Sequence, residues 1–220
     1  MQADIPKQYL PLLGRPVIVQ TLERLCAYPR VRGVRVGIAP DDRVWPTLDL
    51  ARFGRPVDAY PGGAARAQTV LNGLHALADR ARDDDWVMVH DAVRPCVRRE
   101  DLDRLVATAF GSADGALLAL PVADTLKRAD AAGGIVETVP REGLWRALTP
   151  QMFRLKRLRG ALARALASGA DDITDDAAAI ERDGGRPVVV EGHPDNIKIT
   201  RPADLALAEL FLQQQGAGQA

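Results

Sequence analysis

Residues 86–95 read Trp-Val-Met-Val-His-Asp-Ala-Val-Arg-Pro. A short apolar run, Trp86 to Val89, ends abruptly in His90, Asp91 and Arg94. An apolar run of that length with β-branched residues suits a buried parallel strand. In an open α/β sheet, ligands bind beyond the carboxyl ends of the strands. Asp91 and Arg94 are therefore delivered to a binding crevice, where a carboxylate can hold a divalent metal and a guanidinium can grip phosphate. The plainer alternative is a strand-end Asp that only caps the next turn. Lys198, in Asp195-Asn196-Ile197-Lys198-Ile199-Thr200, follows a strand and precedes a helix, so it can reach the same crevice. An exposed loop lysine is its bland alternative.

Other residues carry weaker signals. Gly62-Gly63 before a helix can let backbone N–H groups approach an anion, with Arg66 and Thr69 in the first turns of that helix. Such a glycine pair is more often just a turn, and a solvated face and a cap are the plainer alternatives for Arg66 and Thr69. Lys7 lies in Pro6-Lys7-Gln8-Tyr9, ahead of any regular element, and alone reads as a solvated lysine. Thr125, Arg141 and Thr149 flank a turn-rich segment, where polar residues normally satisfy turn backbone. Trp145 reads as packing. Thr174 is well placed to cap a helix. Asp171, Asp172, Asp175 and Asp176 crowd the same helix start, where they complement the macrodipole and lack the spacing of a calcium loop. His90 points away from Asp91 if the strand continues. No Ser-His-Asp order or Cys–His pair stands out, so no protein nucleophile is indicated. A strand-end Asp, scattered basic residues and no nucleophile fit phosphate chemistry on a nucleotide, where positioning and charge stabilisation dominate.

The elements that must hold these residues alternate between helical and strand-like, as βαβ architecture requires. Apolar spacing predicts helices over 17–25, through Val70, Leu71, Leu74 and Leu77, through Leu102, Leu105, Val106 and Ala109, over 155–166 with a stop at Gly169, over 173–181, and over 203–212 with Pro202 in the first turn. It predicts strands over 31–39, 86–89, 116–121 and 187–191. From 122 to 146 the chain is polar and turn-rich, with Gly133-Gly134 between Thr125-Leu126-Lys127 and Ile135-Val136-Glu137. This predicts a β-hairpin standing off the main sheet. An isolated hairpin is marginal in water, so it is expected to pack on a partner chain. The expectation is one domain over 1–212 with that arm, and a disordered tail over 213–220.

Composition narrows the classes. The 220 residues are 47% hydrophobic, enough for a sizeable core, and 29 Lys and Arg balance 29 Asp and Glu. Zero net charge argues against bulk binding to nucleic acid or anionic membrane. The only cysteines, Cys26 and Cys96, lack CxxC spacing, which suggests a reducing compartment and no structural zinc. The N-terminus has no signal-peptide pattern and no apolar stretch is long enough to span a bilayer, so a soluble cytoplasmic protein is the default.

Taken together, the motifs resemble the 2-C-methyl-D-erythritol 4-phosphate cytidylyltransferase family. The matching stretches are Pro6-Lys7-Gln8-Tyr9-Leu10, Gly62-Gly63 with Arg66 and Thr69, Val89-His90-Asp91-Ala92-Val93-Arg94-Pro95 and Pro121-Val122-Ala123-Asp124-Thr125-Leu126-Lys127. They continue with 143–151, Ile173-Thr174-Asp175-Asp176, and Glu191-Gly192 through Lys198, in register from about residue 1 to 212. The resemblance implies a Rossmann-like, doubly wound, mostly parallel sheet of the nucleotide-diphospho-sugar transferase type, with the hairpin as a dimerisation arm. It implies transfer of a cytidylyl group from CTP to the sugar-alcohol phosphate in non-mevalonate isoprenoid synthesis, with release of pyrophosphate. Mg²⁺, or another divalent cation, would sit on the triphosphate and on Asp91. Lys7 would stabilise the transition state, and Lys198 and Arg141 would position the attacking phosphate. Asp91, Arg94, Thr149 and Thr174 would line the methylerythritol phosphate site. Gly62, Gly63, Thr69 and Ala92 would meet CTP. Thr125 and Arg141 would cross with the arm to the other subunit of a homodimer.

The chain departs from that family at its start. Family members open with an apolar strand and a loop like A-A-G-x-G-x-R-M, which wraps the CTP phosphates. Met1 falls where that loop ends, so roughly twenty residues are expected to be missing, among them a central strand and its phosphate-cradling N–H groups. One expectation is that Met1 is an internal methionine of a longer chain. The other is a true truncation that folds poorly or binds without catalysing. Two other functions stay open: a related ribitol 5-phosphate cytidylyltransferase, which shares the His-Asp-Ala-x-Arg-Pro core, and an inactive dimeric scaffold or binding protein.

Overall fold

A computed structural model describes residues 5–170 and 173–217; Met1, Asp171 and Asp172 of the expected acidic cluster, and Gly218–Ala220 of the expected tail lie outside them. The described chain opens on a 3-10 turn, Lys7–Tyr9, and a short antiparallel ladder of β1 (Pro11–Leu12) and β2 (Arg15–Pro16). Then come α1 (Val17–Ala27), β3 (Val34–Ile38), β4 (Val57–Pro61), α2 (Arg66–His75), β5 (Trp86–Val89), α3 (Arg99–Phe110) and β6 (Ala116–Pro121). The arm is β7 (Leu126–Ala129) paired antiparallel with β8 (Ile135–Val139). β9 (Trp145–Arg154), α4 (Leu155–Ala167), α5 (Asp176–Arg182), β10 (Val188–Glu191) and α6 (Pro202–Ala217) follow.

The central sheet has the order β10-β6-β9-β5. β10 runs parallel to β6, and β9 runs antiparallel to both β6 and β5. β3 and β4 form a separate parallel pair. Among the described residues no ladder joins the two sheets. β6 shows why the layers form. Its Leu117 faces one side with Phe153 and the leucines of α4, including Leu158 and Leu162. Its Ala116, Leu118 and Leu120 face the other side with Leu102 and Leu105 of α3. A strand covered on both faces must be apolar at every position, which is how 116–121 reads. α1 covers the β3–β4 pair through Ile18, Val19 and Leu22. α6 lays Ala208 and Leu212 on Leu12 and Cys96. Helices on both faces of an open sheet make the α/β class expected from the alternation.

Several expectations change. β5 has the expected bounds, but its partner is antiparallel, so the central sheet is mixed. β4 and β9 have no counterpart in the sequence reading. β9 hides because Thr149, Pro150 and Gln151 interrupt its apolar pattern, and proline weighs against a central strand. The ladder accommodates Pro150 where its register shifts, between the pairs Leu117–Gln151 and Ala119–Ala147. Trp145, at the start of β9, is 38% exposed rather than packed within this chain. α5 begins later than expected, and its cap is Asp175 rather than Thr174, the Asp175 carboxylate accepting the Ala178 N–H at 2.9 Å. α4 ends as expected before Gly169, whose φ of +70° suits a residue without Cβ. The expected disordered tail is helical as far as Ala217. Gln215 explains it, because its Nε2 donates to the Cys96 carbonyl and to Asp195 Oδ2, each at 3.0 Å. Among the described residues no helix is long and apolar enough to cross a membrane.

Candidate active site

β5 ends in a tight turn closed by the Arg94 N–H on the Asp91 carbonyl, at 3.1 Å. That turn carries the Asp91 carboxylate to the mouth of a cavity of about 280 Å³. Gln8 and Tyr9, Gly37 and Ile38 of β3, Ala92 and Lys198 line the same cavity. Lys198 arrives on the segment after β10, which is fastened by the Ile199 N–H on the Val93 carbonyl at 2.9 Å. Arg94 fastens it again, donating to the Asn196 carbonyl at 2.8 Å. Asn196 Nδ2 in turn donates to the Thr149 carbonyl at 2.8 Å, satisfying backbone that the irregular stretch of β9 leaves unpaired.

Three cations converge on Asp91. Lys198 Nζ lies 3.1 Å from Oδ2, Arg94 Nε lies 3.2 Å from Oδ2, and Arg66 Nε lies 3.8 Å from Oδ1. Burial alone would push the Asp91 carboxyl up, but Lys198, Arg94 and Arg66 outweigh it and hold the group below the usual carboxylate range. Burial lowers Arg94 from its ordinary value, and the charges of Arg146 and Arg66 add to that effect against the pull of Asp91. The result is a compact field of positive charge around one carboxylate, suited to a phosphate group.

Arg66 links this cluster to a second carboxylate. Its fork donates to both oxygens of Asp176, at 3.1 and 2.7 Å. Asp176 is fully buried at the start of α5, and burial pushes its carboxyl above the usual range against the pull of Arg66. Buried Gln151 of β9 fixes that helix start by accepting the Ala177 N–H and donating to Asp175 Oδ2, each at 2.8 Å. His90 fixes the Asp91 turn. Its Nε2 lies 2.9 Å from the Arg94 carbonyl and its Nδ1 lies 3.0 Å from the Thr149 hydroxyl, which also accepts the Asp91 N–H at 3.1 Å. Burial pushes the His90 pKa down from 6.5 to about 4. His90 therefore turns toward the Asp91 turn rather than away from it.

The structure brings Asp91, Arg94, Ala92, Thr149 and Lys198 together, as the motifs suggested. Arg66 belongs with them and is more than a solvated residue. Lys7 is exposed on the turn whose Gln8 and Tyr9 line the cavity. Thr174 is exposed just before the α5 cap. Thr125 and Arg141 lie on the exposed arm, where the Arg141 guanidinium donates to the Ala123 carbonyl. The N–H groups of Gly62 and Gly63 do not point to an open anion site: Gly62 donates to the Ile38 carbonyl at 2.8 Å and Gly63 to the Thr69 hydroxyl at 2.9 Å. Glycine is needed at 63 for space, since a Cβ there would lie 2.4 Å from Gln68 Cγ. Sequence reasoning missed Asp176, Gln151 and the role of His90. Each sat in a matching stretch, but nothing local in the sequence gave it these partners; Arg66 and Asp176 lie 110 residues apart.

An open α/β sheet with a strand-end cavity lined by Asp91 and Lys198, and with two arginines on the same carboxylate, suits an enzyme that transfers a phosphate-linked group. The family model described as 2-C-methyl-D-erythritol 4-phosphate cytidylyltransferase matches residues 1–214. A protein of that name from Aeromonas hydrophila is 52% identical over 219 residues, spanning 100% of this chain and 87% of the relative. One from Xanthomonas campestris is 53% identical over 98% of this chain and 81% of its own length. A solved structure of 4-diphosphocytidyl-2C-methyl-D-erythritol synthase superposes with a TM-score of 0.84 at 38% identity, covering 94% of this chain and 95% of that one. The Francisella tularensis cytidylyltransferase gives 0.83 at 33% identity, with 94% of each chain covered. The chain belongs to the 2-C-methyl-D-erythritol 4-phosphate cytidylyltransferase family.

Two predictions follow from the charges. A histidine whose folded pKa is depressed binds its proton more readily in the unfolded chain. Between pH 6.5 and about 4 the unfolded state therefore carries one more proton at His90, and stability falls as pH drops, with a limiting slope of about 1.4 kcal/mol per pH unit. Urea titrations across that window are expected to show this slope in the parent protein and to lose it in His90→Asn; an unchanged slope in the variant contradicts the assignment. Removing Arg66 strands a buried anion, so Arg66→Ala is expected to cost on the order of 3 kcal/mol in urea unfolding. Asp176→Asn is expected to cost less, because the Arg66 side chain is already 34% exposed and can be resolvated. Equal losses would contradict a buried ion pair.

Proposed function

We propose that this chain transfers the cytidylyl group of CTP to 2-C-methyl-D-erythritol 4-phosphate, giving 4-diphosphocytidyl-2-C-methyl-D-erythritol and pyrophosphate, in the cytoplasm. The convergence of Lys198, Arg94 and Arg66 on Asp91 at the cavity mouth carries this reading. In the reaction a phosphate oxygen of the sugar-alcohol phosphate bonds to the α-phosphorus of CTP. The bond from that phosphorus to the α–β bridging oxygen breaks, and its electrons leave with pyrophosphate. No protein nucleophile is required, so the work of the chain is to position two anions against each other and to offset their charge.

Lys198 and Arg94 hold the attacking phosphate on the side of Asp91. Lys7, on the turn beside the cavity, meets charge that builds on the α-phosphate. Ala92, Thr69, Gly62 and Gly63 border the nucleotide, with the glycine N–H groups already taken up within the chain. Among the described residues no three acidic, histidine or cysteine side chains group as a metal site. The donor set therefore fits Mg²⁺ or another divalent cation only as an ion carried on the triphosphate, with Asp91 as its single carboxylate ligand. Such an ion, when bound, neutralises charge on the phosphates. The arm supports assembly with a second copy: a lone two-stranded hairpin is marginal in water, and Ile135 and Val136 are 68% and 63% exposed on it. Thr125 and Arg141 then serve the site of that second copy, where Arg141 positions the phosphate. Thr174, exposed ahead of α5, lines the sugar-alcohol side.

Pyrophosphate release from CTP with methylerythritol phosphate tests the proposal. Lys198→Ala and Asp91→Ala are each expected to lower kcat about a hundredfold or more. Faster turnover of ribitol 5-phosphate would replace the acceptor. Release no greater than that of Lys198→Ala would remove the activity altogether.

A further inference from the structure

We infer that His90 and Thr149 are positioning residues: a chain of hydrogen bonds with one fixed direction, from the Asp91 amide through the Thr149 hydroxyl to His90 Nδ1, sets where the Asp91 carboxylate stands and leaves that hydroxyl no hydrogen to donate to a ligand.

The direction follows from what each atom can do. A carbonyl oxygen only accepts, so His90 Nε2, 2.9 Å from the Arg94 carbonyl, carries the ring hydrogen. A neutral imidazole donates from one nitrogen, so Nδ1 is the acceptor. The Thr149 hydroxyl, 3.0 Å away, must donate to it. Its single hydrogen is then committed, and a lone pair of Oγ1 accepts the Asp91 N–H at 3.1 Å. Thr149 is only 5% exposed, so water does not compete for these bonds. The imidazole thus holds both ends of the turn. Through Thr149 it ties the Asp91 amide to β9, and through Nε2 it holds the Arg94 carbonyl. The Asp91 carboxylate is then aimed at Lys198, Arg94 and Arg66 by backbone that cannot rotate freely. Breaking the chain at either residue leaves a buried donor or acceptor unpaired and loosens the same turn. Thr149, a candidate lining residue of the methylerythritol phosphate site by resemblance, acts through Asp91 instead.

The kinetic readout rests on the cytidylyl-transfer reading; the structural readout does not. Long-range ¹H–¹⁵N spectra of the intact parent protein near neutral pH report the tautomer of each histidine. His90 is expected as the Nε2–H form. The Nδ1–H form would reverse the chain and overturn the inference, whether or not the protein turns over CTP. For the kinetics, Thr149→Val and His90→Leu are combined in a double-mutant cycle, with Thr149→Ser as the variant that keeps the hydroxyl. Each of the first two is expected to lower kcat about ten- to a hundredfold, with KM for the sugar-alcohol phosphate changed by less than about twofold. The double variant is expected to be no worse than the poorer single one, because both break one chain. Thr149→Ser is expected to stay near the parent. A raised KM in Thr149→Val alone, or losses that multiply in the double variant, would show the hydroxyl bonding to substrate and overturn the inference. If the variants do not fold, the tautomer of the parent decides it.

Discussion

Lys198, Arg94 and Arg66 come from three stretches of chain and share one half-buried anion, Asp91. Three positive charges this close, partly withdrawn from water, would repel by several kcal/mol if nothing balanced them; a pair of unit charges 4 Å apart interacts by about 4 kcal/mol at an effective dielectric constant near 20. Asp91 lets the folded chain assemble a cationic pocket before any phosphate arrives. Such preorganisation is what phosphate transfer needs, since the chemistry asks for placed charge rather than for a protein nucleophile.

The scaffold can be understood as the set of contacts that keeps those charges apart and aimed. β5 delivers Asp91 and Arg94. The segment after β10 delivers Lys198 and is fastened to the Asp91–Arg94 turn by two backbone-directed bonds. α2 delivers Arg66, whose fork is anchored by Asp176. β9 ties these parts together from the middle of the sheet. Thr149 reaches the Asp91 turn, the Thr149 carbonyl takes Asn196, and Gln151 fixes the start of α5. The polar residues that make β9 hard to recognise as a strand are the ones that connect the site. A regular apolar strand in its place would pack as well and would leave the turn, the lysine segment and α5 without a common anchor.

That arrangement decides how much the sequence disclosed. The bounds of 86–89 and 116–121 were readable because doubly covered strands must be continuously apolar. The arm was readable because Gly133-Gly134 separates two short β-prone runs. Asp91 and Lys198 could be brought together in advance because both follow strands, and strand ends of an open α/β sheet converge. Asp176 could not be placed, since acids at a helix start have an adequate local explanation in the helix dipole, and only the fold shows Arg66 seated on it. The expected direction of His90 depended on the strand continuing; it stops at Val89, so alternation no longer governs where the ring points. The helical end of α6 was hidden for a similar reason: Gln-Gln-Gln-Gly is locally weak, and its order comes from Gln215 bonding to distant Cys96 and Asp195.

The central claim is that the three cations are organised around Asp91 and are partly neutralised by it. Calorimetric titration of methylerythritol phosphate without metal into the parent protein and into Asp91→Asn tests it most directly. With the carboxylate gone, the three cations repel one another and the pocket that Asp91 gathers is no longer set before a phosphate arrives. The account predicts weaker binding of the sugar-alcohol phosphate to Asp91→Asn. Binding that is unchanged or tighter in the variant would contradict it, since it would mean that Lys198, Arg94 and Arg66 hold their places without the carboxylate and that Asp91 only offsets their charge.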